Sequence, residues 1–261
     1  MGSLTDTLEN EVLDHILKVG SYSPPGTVYL GLSTADPTDA GTGWADPTYT
    51  GYAREAIPFG TAGTPTARRI IQNADVIFDP CTAGSSTVSH WGLWTALSGG
   101  VLMAHGAFAV SKSIVAGNTP KVVSGEVYVE LSAVSGKGAY TAYANAILDW
   151  LFRAQSLSQP TNIDIALHTT VCSDSAPGTE VSGGSYARKT CNTWDTAASG
   201  ASENTGAQDF VTPTASWGNV KAMSLYTSST PMVYTNDPTD QDVGTGDICR
   251  VEDGGFDVTL S

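Results

Sequence analysis

Leu8-Glu9-Asn10-Glu11-Val12-Leu13-Asp14 lies over Tyr143-Ala144-Asn145-Ala146-Ile147-Leu148-Asp149, the same order of apolar and polar positions 135 residues further on (14 to 149). Both stretches read as helices. Around the first, Leu4, Leu8, Val12 and Ile16 recur every four residues with Leu13 and Leu17 beside them, one apolar stripe at helical spacing. Ser3 is placed to cap this helix and Asp6 to occupy its positive first turn, Gly20 to end it, and Pro24-Pro25 forbids continuation. In the second, Tyr143, Ile147 and Leu151 form the stripe, Leu148 and Phe152 flank it, and Pro160 follows.

Working outward, the correspondence continues. Val28, Leu30 and Leu32 alternate with polar or small residues as Ile163, Ile165 and Leu167 do, the period of a half-buried strand. Tyr52-Ala53-Arg54 returns as Tyr186-Ala187-Arg188, and Val88 to Thr95 lies over Val220 to Thr227. The turn Ser98-Gly99-Gly100 leads into Val101 to His105, matched by Met232 to Tyr234. Gly117-Asn118 and Gly246-Asp247 each precede a closing pair of strands that ends on Val129 to Ser132 and Val258 to Ser261. The offset drifts from 135 to 129 (132 to 261), as small deletions in loops produce. The chain therefore reads as two tandem copies, 1–132 and 133–261, with 133–139 as linker. Each is expected to be one N-terminal helix followed by six or seven short strands in an antiparallel β-sandwich, a mainly β protein. The first helix carries Asp6, Glu9, Glu11 and Asp14 where the second is mostly uncharged, so the second helix is expected to be the more buried, against the first domain or a neighbour.

Composition narrows the function classes. Hydrophobic residues are 41% of 261, charged ones only 15%, and 28 Gly with 13 Pro favour turns and short strands. A net charge of −14 repels phosphate backbones and anionic membranes, so neither nucleic acid nor a membrane is an expected partner. No apolar run reaches the roughly 18 to 20 residues of a bilayer span, the start lacks a secretory pattern, and synthesis in a cytoplasm is expected. Arg68-Arg69 reads as a solvated loop or a local salt-bridge partner. Cys81, Cys172, Cys191 and Cys249 contain no C-x-x-C pair; Cys172 with Cys191 is the one possible disulfide, and free thiols are the alternative that cytoplasmic synthesis favours.

An enzyme needs a nucleophile with its base, a carboxylate pair or a metal cluster, and none is visible. The histidines, 15, 90, 105 and 168, differ between copies: His15 faces Trp150 in the alignment and His90 faces Ala222. Asp237, Asp240, Asp242 and Asp247 gather carboxylates around glycines as Ca²⁺ loops do, at a spacing that fits no standard motif, so a solvated acidic loop is the plainer reading. No cofactor is expected. Tyr52, Arg54, Tyr186 and Arg188 are candidates for an interaction patch, since Tyr and Arg are enriched at interface centres, against a role in the fold. Trp44, Tyr49 and Trp194 lie in or beside loops and are candidates for contact with another chain.

Gly178-Thr-Glu-Val-Ser-Gly-Gly-Ser-Tyr-Ala-Arg188, a Leu-x-Thr strand before it and a terminal Leu-Ser resemble a domain of tailed-bacteriophage tail-fibre and minor virion proteins. Ser3 to Asp6, Leu8 to Asn10 and Pro37-Thr-Asp-Ala-Gly41 carry the same resemblance in the first copy. The resemblance implies a non-enzymatic virion structural protein of the tail or tail fibre, present in multiple copies and working through contacts with other virion proteins. Capsid decoration, or recognition of a host surface glycan through aromatic platforms such as Trp44 with Tyr49, are the alternatives it leaves open.

Overall fold

A computed structural model describes residues 2–132, 135–236 and 241–260. The first repeat opens with β1 (Gly2–Leu4) and then α1 (Asp6–Ile16). Because Ser3 lies in β1, the cap falls to Thr5, whose Oγ1 accepts from Leu8 N at 3.4 Å and donates to Leu102 O at 2.9 Å. Lys18, with φ at +65°, turns the chain out of the helix in place of Gly20. The second repeat repeats this entry with β10 (Lys137–Ala139) and α2 (Thr141–Arg153). Lys137–Ala139, within the expected linker, is instead an edge strand, and its short, Gly-containing sequence hides the alternation that marks strands.

The main sheet of the first repeat runs β3 (Glu55–Ala56), β2 (Tyr29–Ser33), β6 (Ser85–Trp94), β7 (Leu102–Val115) and β1. That of the second runs β12 (Lys189–Thr190), β11 (Asp164–His168), β16 (Ala222–Thr227), β17 (Thr230–Thr235) and β10. The neighbours in both are antiparallel and the order is the same. Equivalent residues keep equivalent partners: Leu30 faces Glu55 and Leu93, and Ile165 faces Lys189 and Leu225.

Short antiparallel ladders complete each repeat. β4 (Arg69–Ile71) pairs with β9 (Tyr128–Glu130) and β5 (Val76–Ile77) with β8 (Lys121–Val122). Their counterparts are β13 (Ala201–Glu203) with β20 (Asp257–Thr259) and β14 (Gln208–Asp209) with β19 (Arg250–Val251). The far halves of β6 and β7 bend at a bulge between Val88 and His90, and in the second repeat the same bend separates a further pair, β15 (Gly218–Val220) with β18 (Gln241–Val243). Ladders of two or three residues are too short to show alternation in sequence, so each repeat has more strands than the six or seven expected. β1 also pairs in parallel with β9, Gly2 facing Val129, which extends the first sheet to seven strands.

One continuous apolar core runs from Leu4 to Leu260 through both repeats. Each helix packs on a strand of its own repeat, α1 on β7 and α2 on β17, and on a ladder strand of the other, α1 on β13 and α2 on β4. The helices are therefore buried alike: six of the eleven residues of α1 and seven of the thirteen of α2 are buried. The expectation that α2 would be the more buried fails, because the repeats use their helices in the same way. The charge difference is absorbed locally. Glu9, where α2 has Ala144, is itself buried, and its carboxyl is pushed up to about 7, by burial first and then by Asp6 and Asp39.

Candidate functional site

The Tyr-Ala-Arg triplets lead into β3 and β12 and lock each sheet from outside. Tyr52 Oη accepts from Leu32 N (2.9 Å) and donates to Leu32 O (3.2 Å); Tyr186 Oη accepts from Leu167 N (2.9 Å) and donates to Glu180 (3.2 Å). Arg54 lies 3.5 Å from the centroid of the Trp94 ring and donates to Ala96 O and Gly99 O. Arg188 lies 3.6 Å from that of Tyr226, donates to Ser228 O, and forms a fork on the two Glu180 oxygens at 2.8 Å each. All four half-buried side chains thus spend their polar groups inside their own repeat.

Tyr49 and Trp194 correct the expectation of exposed contacts, being 3% and 7% exposed. Trp194 donates its indole N–H to Cys191 O at 3.0 Å and packs edge-on against Phe256. Trp44 is half-buried over Gly31 and Gly92, where any Cβ would stand about 3 Å or less from its ring, and it donates to Asp46 at 2.8 Å. Ala166 and Ser224 hold those two positions in the second repeat, which explains why no tryptophan is kept there. With Tyr49 in the core, Trp44 and Tyr49 form no open aromatic platform.

Arg68 is no solvated side chain either. It is buried, with Nε donating to Leu131 O at 2.7 Å, Nη2 to Ser132 O at 3.1 Å and Nη1 to Ala139 O, so one guanidinium ties the last residues of the first repeat to the first strand of the second. Arg69 does make the expected local pair, with Glu130. The four cysteines are unpaired and buried; Cys172 packs with Tyr140 and Tyr234 whereas Cys191 belongs to the main core, so no disulfide joins them. Of the acidic loop, Asp237 and Asp240 lie outside the described residues. Asp247 accepts from Gly244 N at 2.7 Å, closing its own turn, and no group of three or more potential metal ligands occurs among the described residues.

The histidines are dispersed. His168 is fully buried and shares Nδ1 with Gly178 O, and burial lowers its pKa. His105 meets Asp39 at 2.9 Å. Ser89 Oγ lies 2.9 Å from His90 Nδ1, and His90 Nε2 lies 3.9 Å from Asp36, the nearest approach to a nucleophile–base–acid series. The last distance is too long for a hydrogen bond, and the depressions beside Lys112, Leu8, Asp195 and Lys137 are lined by none of the three. One of the surface depressions, about 260 Å³ between Lys112, Asn118 and Lys121, is smaller than the roughly 300 to 1,000 Å³ of ordinary ligand sites, and both lysines are already paired, with Glu126 and Asp75.

The sequence placed the second helix against the first domain or a neighbour but did not single out the residues that make the contact between the repeats. Asn10 Oδ1 accepts from Gly200 N (3.0 Å) and Asp14 Oδ1 from Ala197 N (2.8 Å). Asn145 Oδ1 accepts from Arg68 N (2.9 Å) and Asp149 Oδ1 from Ala62 N (2.9 Å). Donors and acceptors are equivalent in the two copies: Arg68 and Gly200 both take a left-handed backbone, φ +62° and +70°, and both carbonyls accept from the closing strand, from Leu131 N and Leu260 N. The signal was present, since Asn and Asp are the polar residues kept on both helices.

A family profile described as podophage GP4 fiber I protein gp80 matches the chain in two segments, residues 3–130 and 138–259. The chain belongs to this family. Comparison with curated proteins returns no match. The two matched segments follow the two repeats, so this gp80-family chain carries tandem copies of the domain and stands among phage fibre proteins. Among its described residues no helix is long and apolar enough to cross a membrane.

Proposed function

We propose that this chain is a non-enzymatic structural component of a bacteriophage tail fibre, held in the virion in several copies by protein–protein contacts. The observation that carries the reading is where the polar side chains kept in both repeats are spent: Tyr52, Arg54, Tyr186 and Arg188 on the sheets, and Asn10, Asp14, Asn145 and Asp149 on the joint between repeats. Retention of these residues serves architecture, and membership of a fibre family agrees with it. The negative surface disfavours nucleic acid as a partner. Contacts with neighbours fall to residues that differ between the copies, among them the exposed apolar Val110 and Ile248. Immunogold labelling of intact particles tests the proposal: label on the fibres is the expected result, and label on the capsid contradicts it.

A further inference from the structure

We infer that the contact between the repeats is a pseudo-two-fold dimer interface, so that the surface carrying the opening helix of one repeat holds the other repeat and needs no covalent link to stay bound. In a two-fold interface residue i of one subunit meets j of the other while j meets i, and a residue on the axis meets its own counterpart. Both conditions hold here within a single chain. Position 10 meets 200 while 145 meets 68, and position 14 meets 197 while 149 meets 62, each a backbone N–H donating to an equivalent side chain. His15 and Trp150, aligned with each other, stack with ring centroids 4.5 Å apart. Around them the joint is apolar and continuous with both cores: Phe59 packs on Phe152 at 5.5 Å, and Leu13, Ile16, Leu148 and Leu151 are fully buried. An interface with the character of a domain core is that of an obligate pair.

The inference goes beyond the fibre assignment and does not depend on where the chain sits in the particle. Its test uses the full chain, folded first and cut afterwards at a protease site placed in residues 133–136, with native mass spectrometry and size exclusion as readouts. The expected result is that the two halves remain one particle at micromolar concentration. Separation of the halves, each still folded by circular dichroism, would overturn the inference, as would co-unfolding on cleavage. In the cut protein, Asn10→Ala with Asn145→Ala is expected to raise the dissociation constant about tenfold or more, while Ser89→Ala, remote from the joint, leaves it unchanged; equal effects of the two would also overturn it.

Discussion

The imidazole of His15 lies against the indole of Trp150, ring planes 28° apart, and the two residues hold the same position in the two repeats. Both of its nitrogens are engaged: Nδ1 accepts from Tyr22 N of its own repeat at 3.3 Å and Nε2 donates across the joint to Leu157 O at 3.1 Å, an arrangement that requires the neutral ring. Tyr22 completes the cluster by meeting the Trp150 indole edge-on at 5.7 Å.

Trp150→Ala therefore removes a buried indole at the point where both repeats meet. A loss of roughly 3 to 5 kcal/mol is expected in urea denaturation, the range for large aromatic truncations in cores. Because the core is shared, the wild-type chain is expected to unfold in one transition. Two separated transitions in the wild type would show that the repeats are energetically independent.

Asn10→Ala and Asn145→Ala each leave a backbone N–H at the joint without its acceptor, so each is expected to cost about 1 to 3 kcal/mol. Chemical denaturation of the two single variants tests the symmetry directly. Costs that are equal within error agree with equivalent contacts, and a negligible cost for either one contradicts them.

Arg68→Gly keeps the left-handed backbone, as Gly200 does in the other repeat, and removes only the side chain. The three carbonyls it serves, on Leu131, Ser132 and Ala139, then lose a charged donor, and a destabilisation of about 1 to 3 kcal/mol is expected in spite of the easier backbone. A neutral or stabilising result in thermal and urea melts would remove the clamp from the account.

Stability is expected to depend on pH through Glu9 and His15 in opposite senses. The Glu9 carboxyl, pushed up to about 7 in the fold, takes up a proton that the unfolded chain does not hold, so its contribution is full below its ordinary value of 4.5 and is lost as pH rises through about 7. His15 is held below its ordinary value by burial, so its contribution is full above 6.5 and is lost as pH falls below that. Glu9→Gln removes the first trend. The variant is expected to gain on the wild type between pH 4.5 and 7 and to keep a constant advantage above; parallel urea midpoints for the two proteins across that range would contradict the burial of Glu9.

The two helices, the main strands β2, β6, β11 and β16 and the Tyr-Ala-Arg positions are legible in the sequence, because each has a period or a repeat that survives without coordinates. Tyr49 and Trp194 were misplaced, since burial of a loop aromatic follows from what folds over it and leaves no local pattern. Arg68 was hidden for a related reason: its partners are three main-chain carbonyls, invisible as residue types. The joint between repeats was legible only by subtraction. Among helix residues whose charge and size changed between copies, the Asn and Asp pairs stayed, and the cause is that they bind backbone rather than side chains, so their partners were free to change from Arg68 to Gly200.

Cryo-electron microscopy of the intact phage particle is the most direct test of the central claim. Density for this chain in the tail fibre, as two similar lobes related by an approximate two-fold through the His15–Trp150 stack and touching neighbours through residues outside that joint, is the predicted result. Density on the capsid surface, or lobes held apart by another protein at the joint, would contradict it.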